Sequence, residues 1–363
     1  MPSRRVVIAP DSFKGTMSAQ QAARTIAAGW ADARPGDDVS IFPMADGGEG
    51  TLDIVKSATP GSRVVEVGVV NGPDGKPTPS HYLALDSKTA LVELAVSAGI
   101  TLMNPLNALT ATTRGLGETI RAALDDGIRH VIIALGGSAS TDAGMGALQA
   151  LGLRATTANG DEAGVGGASV EDIVACDTSQ LRIPDKVTIL RDTTATFLDA
   201  PGMFGPQKAA TPEDVTRLEN SFRHLLRLTG DTTNHLIPGA GAAGGCGWGF
   251  AHFLGATIID GAQAVADVIG VREAILSADV VVTGEGRFDA TSMTGKVTGA
   301  IIWLAHNANV PVGVVAGVVD LATSENISWS SLADHAENID SAVASPEFFA
   351  KKAATALAKK MFQ

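Results

Sequence analysis

The chain has 363 residues, too many for one hydrophobic core to be the default, so two domains or lobes are expected. Its net charge of −12, from 39 acidic against 27 basic residues, removes the basic surface that a nucleic-acid partner requires. Apolar residues make up 45 % but aromatics only 4 %, with 41 glycines, a balance that excludes a disordered chain and suits an α/β protein with many tight strand-to-helix turns.

No apolar run approaches the roughly 20 residues that span a bilayer. Only Val6 to Pro10 separate Arg5 from Asp11, too short a stretch for a signal peptide. Cys176 and Cys246 lack metal-type spacing and read as free thiols of a reducing compartment. A cytoplasmic protein is expected, monomer or homodimer, with neither membrane nor nucleic acid as partner.

In chain order, Val6-Val7-Ile8 predicts a strand that empties into Asp11-Ser12-Phe13-Lys14-Gly15-Thr16. A helix follows, since Ser18 and Gln21 have capping-box spacing and Ala22, Ile26 and Trp30 recur every four residues. Pro35-Gly36 breaks it, and Val39 to Met44 reads as a second strand. Asp46-Gly47-Gly48-Glu49-Gly50-Thr51 opens another helix. From Val64 to Glu93 short alternating runs, with Asn71-Gly72 and Asp74-Gly75 as turns, predict antiparallel hairpins. A helix around Gly115 to Asp125 and a doubly buried strand from His130 to Leu135 come next.

That strand runs into Gly136-Gly137-Ser138-Ala139-Ser140-Thr141-Asp142, then a helix to Leu151. Val187 to Leu190 is a short strand ending at Arg191-Asp192. Thr211-Pro212 starts a helix with Val215, Leu218, Phe222, Leu225 and Leu226 on one face, and Gly230 stops it. "PGAGAAGGCGWGF" leads into a further helix. Asp279 to Thr283 is a strand feeding the loop "GEGRFD". A helix containing Lys296, Ile301 and Leu304 precedes the strand Val310 to Val315. This last β-α-β pattern repeats that of the opening segment, which assigns both chain ends to one lobe.

Four times a buried strand empties into glycine mixed with Asp, Glu, Ser or Lys: at Asp11–Gly15, Asp46–Gly50, Gly136–Asp142 and Gly284–Asp289. Carboxyl ends of strands in open α/β sheets are where ligands sit. Glycine lets backbone N–H groups approach an anion, and a helix N-terminus adds its dipole. The carboxylates would repel phosphate unless a cation such as Mg²⁺ lies between, so the mixture points to a metal–polyphosphate site. Gly239 to Gly244 matches G-x-G-x-x-G, with Asp260 downstream, but Leu236-Ile237-Pro238 is too short to be a leading strand. That stretch reads as a phosphate loop or a close-packed helix start, not the fingerprint of a dinucleotide dehydrogenase.

Taken together, "VVIAPDSFKGTMSA", "PMADGGEGT", "ALGGSASTDAGMGALQALG", "FGPQKAAT", "PGAGAAGGCGWG" and "VVVTGEGRFDATSMTGKVTG" resemble the type I glycerate kinase family, in that family's order and over nearly the whole chain. The resemblance implies ATP-dependent phosphorylation of D-glycerate, most often at the 2-hydroxyl, giving 2-phosphoglycerate. It also implies a flavodoxin-like parallel lobe and an inserted mixed α/β lobe, with the site in the cleft between. We assign 1–91 with 285–363 to the first and 92–284 to the second. The chain departs from the family pattern in "DTTATFLDAPGMFGPQK", which is shorter and lacks Asn-Pro, and at Ser140-Thr141, where Thr-Asn is common.

Under this reading Lys14 and Lys208 are cations for the transferring phosphate or the substrate carboxylate, and Arg287 grips a carboxylate through its planar fork. Asp46 and Glu49 are candidates for Mg²⁺, and Asp192 for the base that takes the hydroxyl proton. Gly136, Gly137 and Ser138 would cradle phosphate by backbone donors. Ser12, Gly15, Gly241, Gly284, Glu285 and Lys296 complete the expected nucleotide contacts. Two other readings remain: a kinase for a related hydroxy acid, and a non-catalytic sensor of ATP or glycerate. A sensor would have eroded its carboxylates, yet Asp11, Asp46, Glu49, Asp142, Asp192 and Glu285 are all present.

Overall fold

Buried runs of valine and isoleucine place most of the strands. The computed structural model describes residues 2–293, 296–320 and 327–362. Thr294 and Gly295 of the last motif lie outside the described residues. The strands are β1 (Arg5–Ile8), β2 (Asp38–Ile41), β3 (Arg63–Asn71), β4 (Pro77–Ala84), β5 (Thr89–Glu93), β6 (His130–Ala134) and β7 (Arg154–Thr156). They continue as β8 (Ala175–Asp177), β9 (Lys186–Arg191), β10 (Thr257–Asp260), β11 (Val280–Phe288), β12 (Val312–Val319) and β13 (Ile327–Ser331).

Contacts divide the chain into two compact units, Met1–Asp46 with Ala262–Gln363, and Gly47–Gly261. The first holds a five-stranded sheet in the order β2-β1-β11-β12-β13, parallel throughout. That is the flavodoxin-like order, with its reversal between β1 and β11. Val6, Ile8, Val280 and Val282 bury one face under helices Ala19–Ala33 and Pro346–Lys360, which contribute Ile26, Trp30, Ala350 and Leu357. Helix Ala19–Ala33 starts where expected, with Ser18 and Gln21 closing a capping box.

The second unit carries a mixed six-stranded sheet, β10-β9-β6-β5-β4-β3, and the small pair β7-β8. β3, β4 and β5 pair antiparallel, whereas β5, β6, β9 and β10 run parallel. Its core packs Leu116, Ile120, Ile133, Leu148, Phe197, Phe222 and Trp248 together. Among the described residues no helix is long and apolar enough to cross a membrane. Both cysteines are free.

Three expectations need correction. The unit boundaries fall at 46/47 and 261/262 rather than at 91/92 and 284/285. Residues 63–91 join the second unit because β5 pairs with β6, and the start of β11 joins the first because it pairs with β1. The "GEGRF" stretch is strand rather than loop, since β11 continues paired with β12 as far as Phe288 opposite Val319. Lys296 is the N-cap of helix Val297–Asn307 rather than a residue within it.

Candidate active site

In the first unit, the carboxyl ends of all five strands point toward one cavity of about 380 Å³. Asp11, Ser12 and Lys14 follow β1, Asp46 follows β2, and Glu285 and Arg287 project from one side of β11. Lys296 faces the same space, as do Val318, Leu332, Ile339, Val343 and Pro346. The cavity thus spans the place where strand order reverses, the usual ligand position of an open α/β sheet.

Local chemistry explains how these groups are held. Phe13 and Met17, both buried, form an isolated bridge that folds Lys14 and Gly15 into an exposed tip. Gly15 has φ +78°, so the left-handed turn favours glycine there. The neighbouring helix start is occupied by its own Ser18 cap, and Lys14 faces the cavity together with Asp11, Ser12, Phe13 and Thr16 of the same loop. Asp11 Oδ1 accepts from Ser12 N at 2.6 Å, and burial nevertheless raises its carboxyl despite that bond and the Lys14 and Lys296 charges. Burial also raises Glu285, against the hydroxyls of Ser292 and Thr298 and the charge of Lys296. Glu285 Oε1 is buried without a hydrogen-bond partner among the described residues.

Arg287 and Lys296 are engaged within the protein. Arg287 pairs with Asp320, so the carboxylate its fork grips belongs to the chain itself. Lys296 Nζ donates to Thr291 Oγ1 at 2.9 Å. Gly284 does not line the cavity: a Cβ there would lie 2.2 Å from the Val315 carbonyl oxygen, so close strand packing demands glycine. Gly15 likewise shapes the turn and is absent from the cavity wall.

The second unit gathers the remaining candidates at the ends of β6 and β9. A Cβ on Gly136 would lie 2.4 Å from Gly48 Cα and 2.8 Å from Asp192 Oδ2, so glycine makes room for the half-buried aspartate. Gly136 N donates to the Gly47 carbonyl at 3.0 Å and is therefore spent, not free to cradle phosphate. Gly137, at φ +77°, sits beside the exposed Glu49. Lys208 is 2 % exposed, and its Nζ donates to Ser138 Oγ at 2.9 Å and to the Ser140 carbonyl. Burial pushes its pKa down to about 8, opposed by the charges of Asp142 and Asp192. Instead of a surface cation, Lys208 is a buried clamp on the 138–140 loop. Gly241 is also structural: its N–H donates to the Ala195 carbonyl, and a Cβ would lie 2.3 Å from the Thr196 carbonyl oxygen.

Two carboxylates to which the sequence assigns no individual role organise these loops. Asp142, fully buried, accepts from Thr113 N at 2.8 Å, Thr113 Oγ1 at 2.9 Å, Gly144 N at 3.1 Å and Gly146 N at 3.3 Å. Glu93, at the end of β5, accepts from Gly50 N at 3.0 Å and Leu52 N at 2.9 Å, occupying the start of helix Thr51–Ala58. The one sequence signal for Glu93 was an acid closing the apolar run "TALVE". The apolar cavity wall from Val318 to Pro346 was missed too, because its side chains converge only in the folded sheet.

Fold and cavity together define an α/β protein whose strand ends gather cations and carboxylates around one cavity. The glycerate kinase family model matches residues 6–362. A glycerate kinase of Bacillus subtilis (strain 168) is 37 % identical over 329 residues, covering 87 % of this chain and 85 % of that one. A glycerate 2-kinase of Escherichia coli (strain K12) is 37 % identical over 326 residues, covering 86 % and 85 %. A crystal structure from Salmonella typhimurium LT2, of a protein proposed to be a glycerate kinase 2, superposes with a TM-score of 0.78 at 32 % identity, over 99 % of this chain and 98 % of that one. The chain belongs to the glycerate kinase family. It is a kinase enzyme.

Proposed function

We propose that this kinase transfers the γ-phosphoryl group of ATP to D-glycerate at the 2-hydroxyl, giving 2-phosphoglycerate. The observation that carries this reading is the first unit's cavity, where Lys14, Arg287 and Lys296 face Asp11, Asp46 and Glu285 at the strand ends. The names of the relatives supply the acceptor. Phosphoryl transfer needs charge neutralisation, alignment and a base more than covalent chemistry.

Lys14, on an exposed turn braced by Phe13 and Met17, meets the transferring phosphate. Asp192 takes the proton from the attacking hydroxyl, and Lys208 acts as a positioning residue through Ser138. Among the described residues no group of three or more His, Cys, Asp or Glu could hold a metal. Mg²⁺ commonly uses one or two carboxylates plus water and phosphate, and the hard oxygens of Asp46, Asp11 and Glu285, one of them unpartnered, fit that mode. Asp46 is thus the better of the two expected metal residues, because Glu49 does not line this cavity. When bound, Mg²⁺ would neutralise polyphosphate charge there.

The test is an ADP-release assay with ATP and a panel of hydroxy acids, with and without Mg²⁺, and with the product identified by ³¹P NMR. D-glycerate should be the best acceptor, excess chelator should abolish turnover, and Asp46→Asn should raise the Mg²⁺ requirement or remove activity. A different best acceptor would retain the kinase and replace glycerate; full turnover in chelator would remove the metal.

A further inference from the structure

The cavity of the first unit is polarised along the sheet. Toward β2, β1 and β11 its wall is charged, with Asp46, Lys14, Glu285 and Arg287. At β12 and past the end of β13 it turns apolar, with Val318, Leu332, Ile339, Val343 and Pro346. Ile339 and Val343 lie one helical turn apart and are 54 % and 55 % exposed, an apolar rim that gains from being covered.

We infer that this cavity is the nucleotide site, with the polyphosphate at the charged end near Lys14 and Lys296 and the base against the apolar end. The inference rests on the kinase reading and adds to it which unit takes the nucleotide and in which direction the nucleotide lies. A three-carbon hydroxy acid carries oxygen on every carbon and gains nothing from five apolar side chains. A nucleoside triphosphate has one flat, largely apolar end and one polyanionic end, which matches the wall in both chemistry and order. The volume of about 380 Å³ falls within the range of roughly 300 to 1,000 Å³ typical of cofactor-sized ligands.

The experiment is equilibrium binding by calorimetry to the full-length protein, in Mg²⁺, with three probes: a non-hydrolysable ATP analogue (AMP-PNP), inorganic tripolyphosphate, and D-glycerate. The double variant Ile339→Asn/Val343→Asn changes exposed side chains and should fold, with thermal unfolding as the check. It should bind AMP-PNP about 10-fold more weakly, with tripolyphosphate and glycerate within about 2-fold of wild type. Lys296→Ala should weaken AMP-PNP and tripolyphosphate together. Unchanged AMP-PNP affinity in the double variant of a wild type that does bind it would overturn the placement and leave the kinase reading standing. So would a loss confined to glycerate. A wild type that binds no AMP-PNP and phosphorylates no hydroxy acid would overturn both.

Discussion

A single exposed lysine on a bridge-closed turn carries much of the proposed chemistry. Removing a charge-stabilising donor from a transferring group typically costs about 10²-fold or more in rate. Lys14→Ala should therefore lower kcat by about that factor while the fold survives, because Phe13 and Met17 anchor the turn without it. Near-normal kcat in a folded variant would leave Lys14 a solvated loop residue. A second residue-level prediction concerns stability. Burial works against the charge on Asp231, but donors from His235 N at 2.9 Å, Asn234 N at 3.0 Å, the His235 ring at 2.9 Å and the Trp248 indole at 3.2 Å outweigh it. Its carboxyl is thus held well below the ordinary carboxylate range. The folded value lies below the unfolded one, so the stabilisation is full above about pH 4 and is lost as pH falls through the folded value. Asp231→Asn should lose about 1 to 3 kcal/mol at pH 7 in urea unfolding, with a smaller gap at pH 3.

At the scale of elements, the loops depend on carboxylates borrowed from other strands. Glu93 from β5 satisfies two N–H groups at the buried start of helix Thr51–Ala58, where the Gly50 N-cap offers no side chain. Burial raises the Glu93 carboxyl even though both bonds lower it, a sign of how fully the group is enclosed. Glu93→Ala would orphan both donors, and about 1 to 3 kcal/mol of stability should go with them, measured by chemical unfolding. A variant as stable as wild type would mean that water replaces the cap. Elements were also where sequence reading worked and failed most visibly. The capping box at Ser18/Gln21 and the Thr211-Pro212 start mark helix starts correctly, because capping is local chemistry. "GEGRF" reads as a loop from its composition, yet pairing with β12 and the close approach of Gly284 to Val315 keep it a strand. Neither partner is visible in the local sequence.

For the whole molecule, the two chain ends close one unit on themselves. Helices Ala19–Ala33 and Pro346–Lys360 approach so closely that a Cβ on Gly29 would lie 2.3 Å from the Lys351 carbonyl oxygen and 2.8 Å from Ala354 Cβ. Thr355 Oγ1 also donates to the Gly29 carbonyl at 2.8 Å. Backbone cannot yield as a long side chain can, so Gly29→Val should destabilise by about 1 to 3 kcal/mol or more, read as a lowered Tm. An unchanged Tm would mean that the terminal helix adds little to this unit.

By itself the sequence determined the α/β class, the parallel repeat at both ends, the helix caps and the family, since periodicity, capping and long ordered motifs are all carried by neighbouring residues. It also named Lys14, Asp46, Glu285, Arg287 and Lys296, which one cavity brings together. Tertiary structure alone decided the rest. It set the unit boundaries through the pairing of β5 with β6 and of β1 with β11. It showed Gly136, Gly241 and Gly284 to be glycines of close packing, and Lys208 to be a buried clamp. It assembled the apolar wall from Val318 to Pro346. Each of these depends on which distant backbone comes within a few ångströms, and that distance is created only when the sheets form.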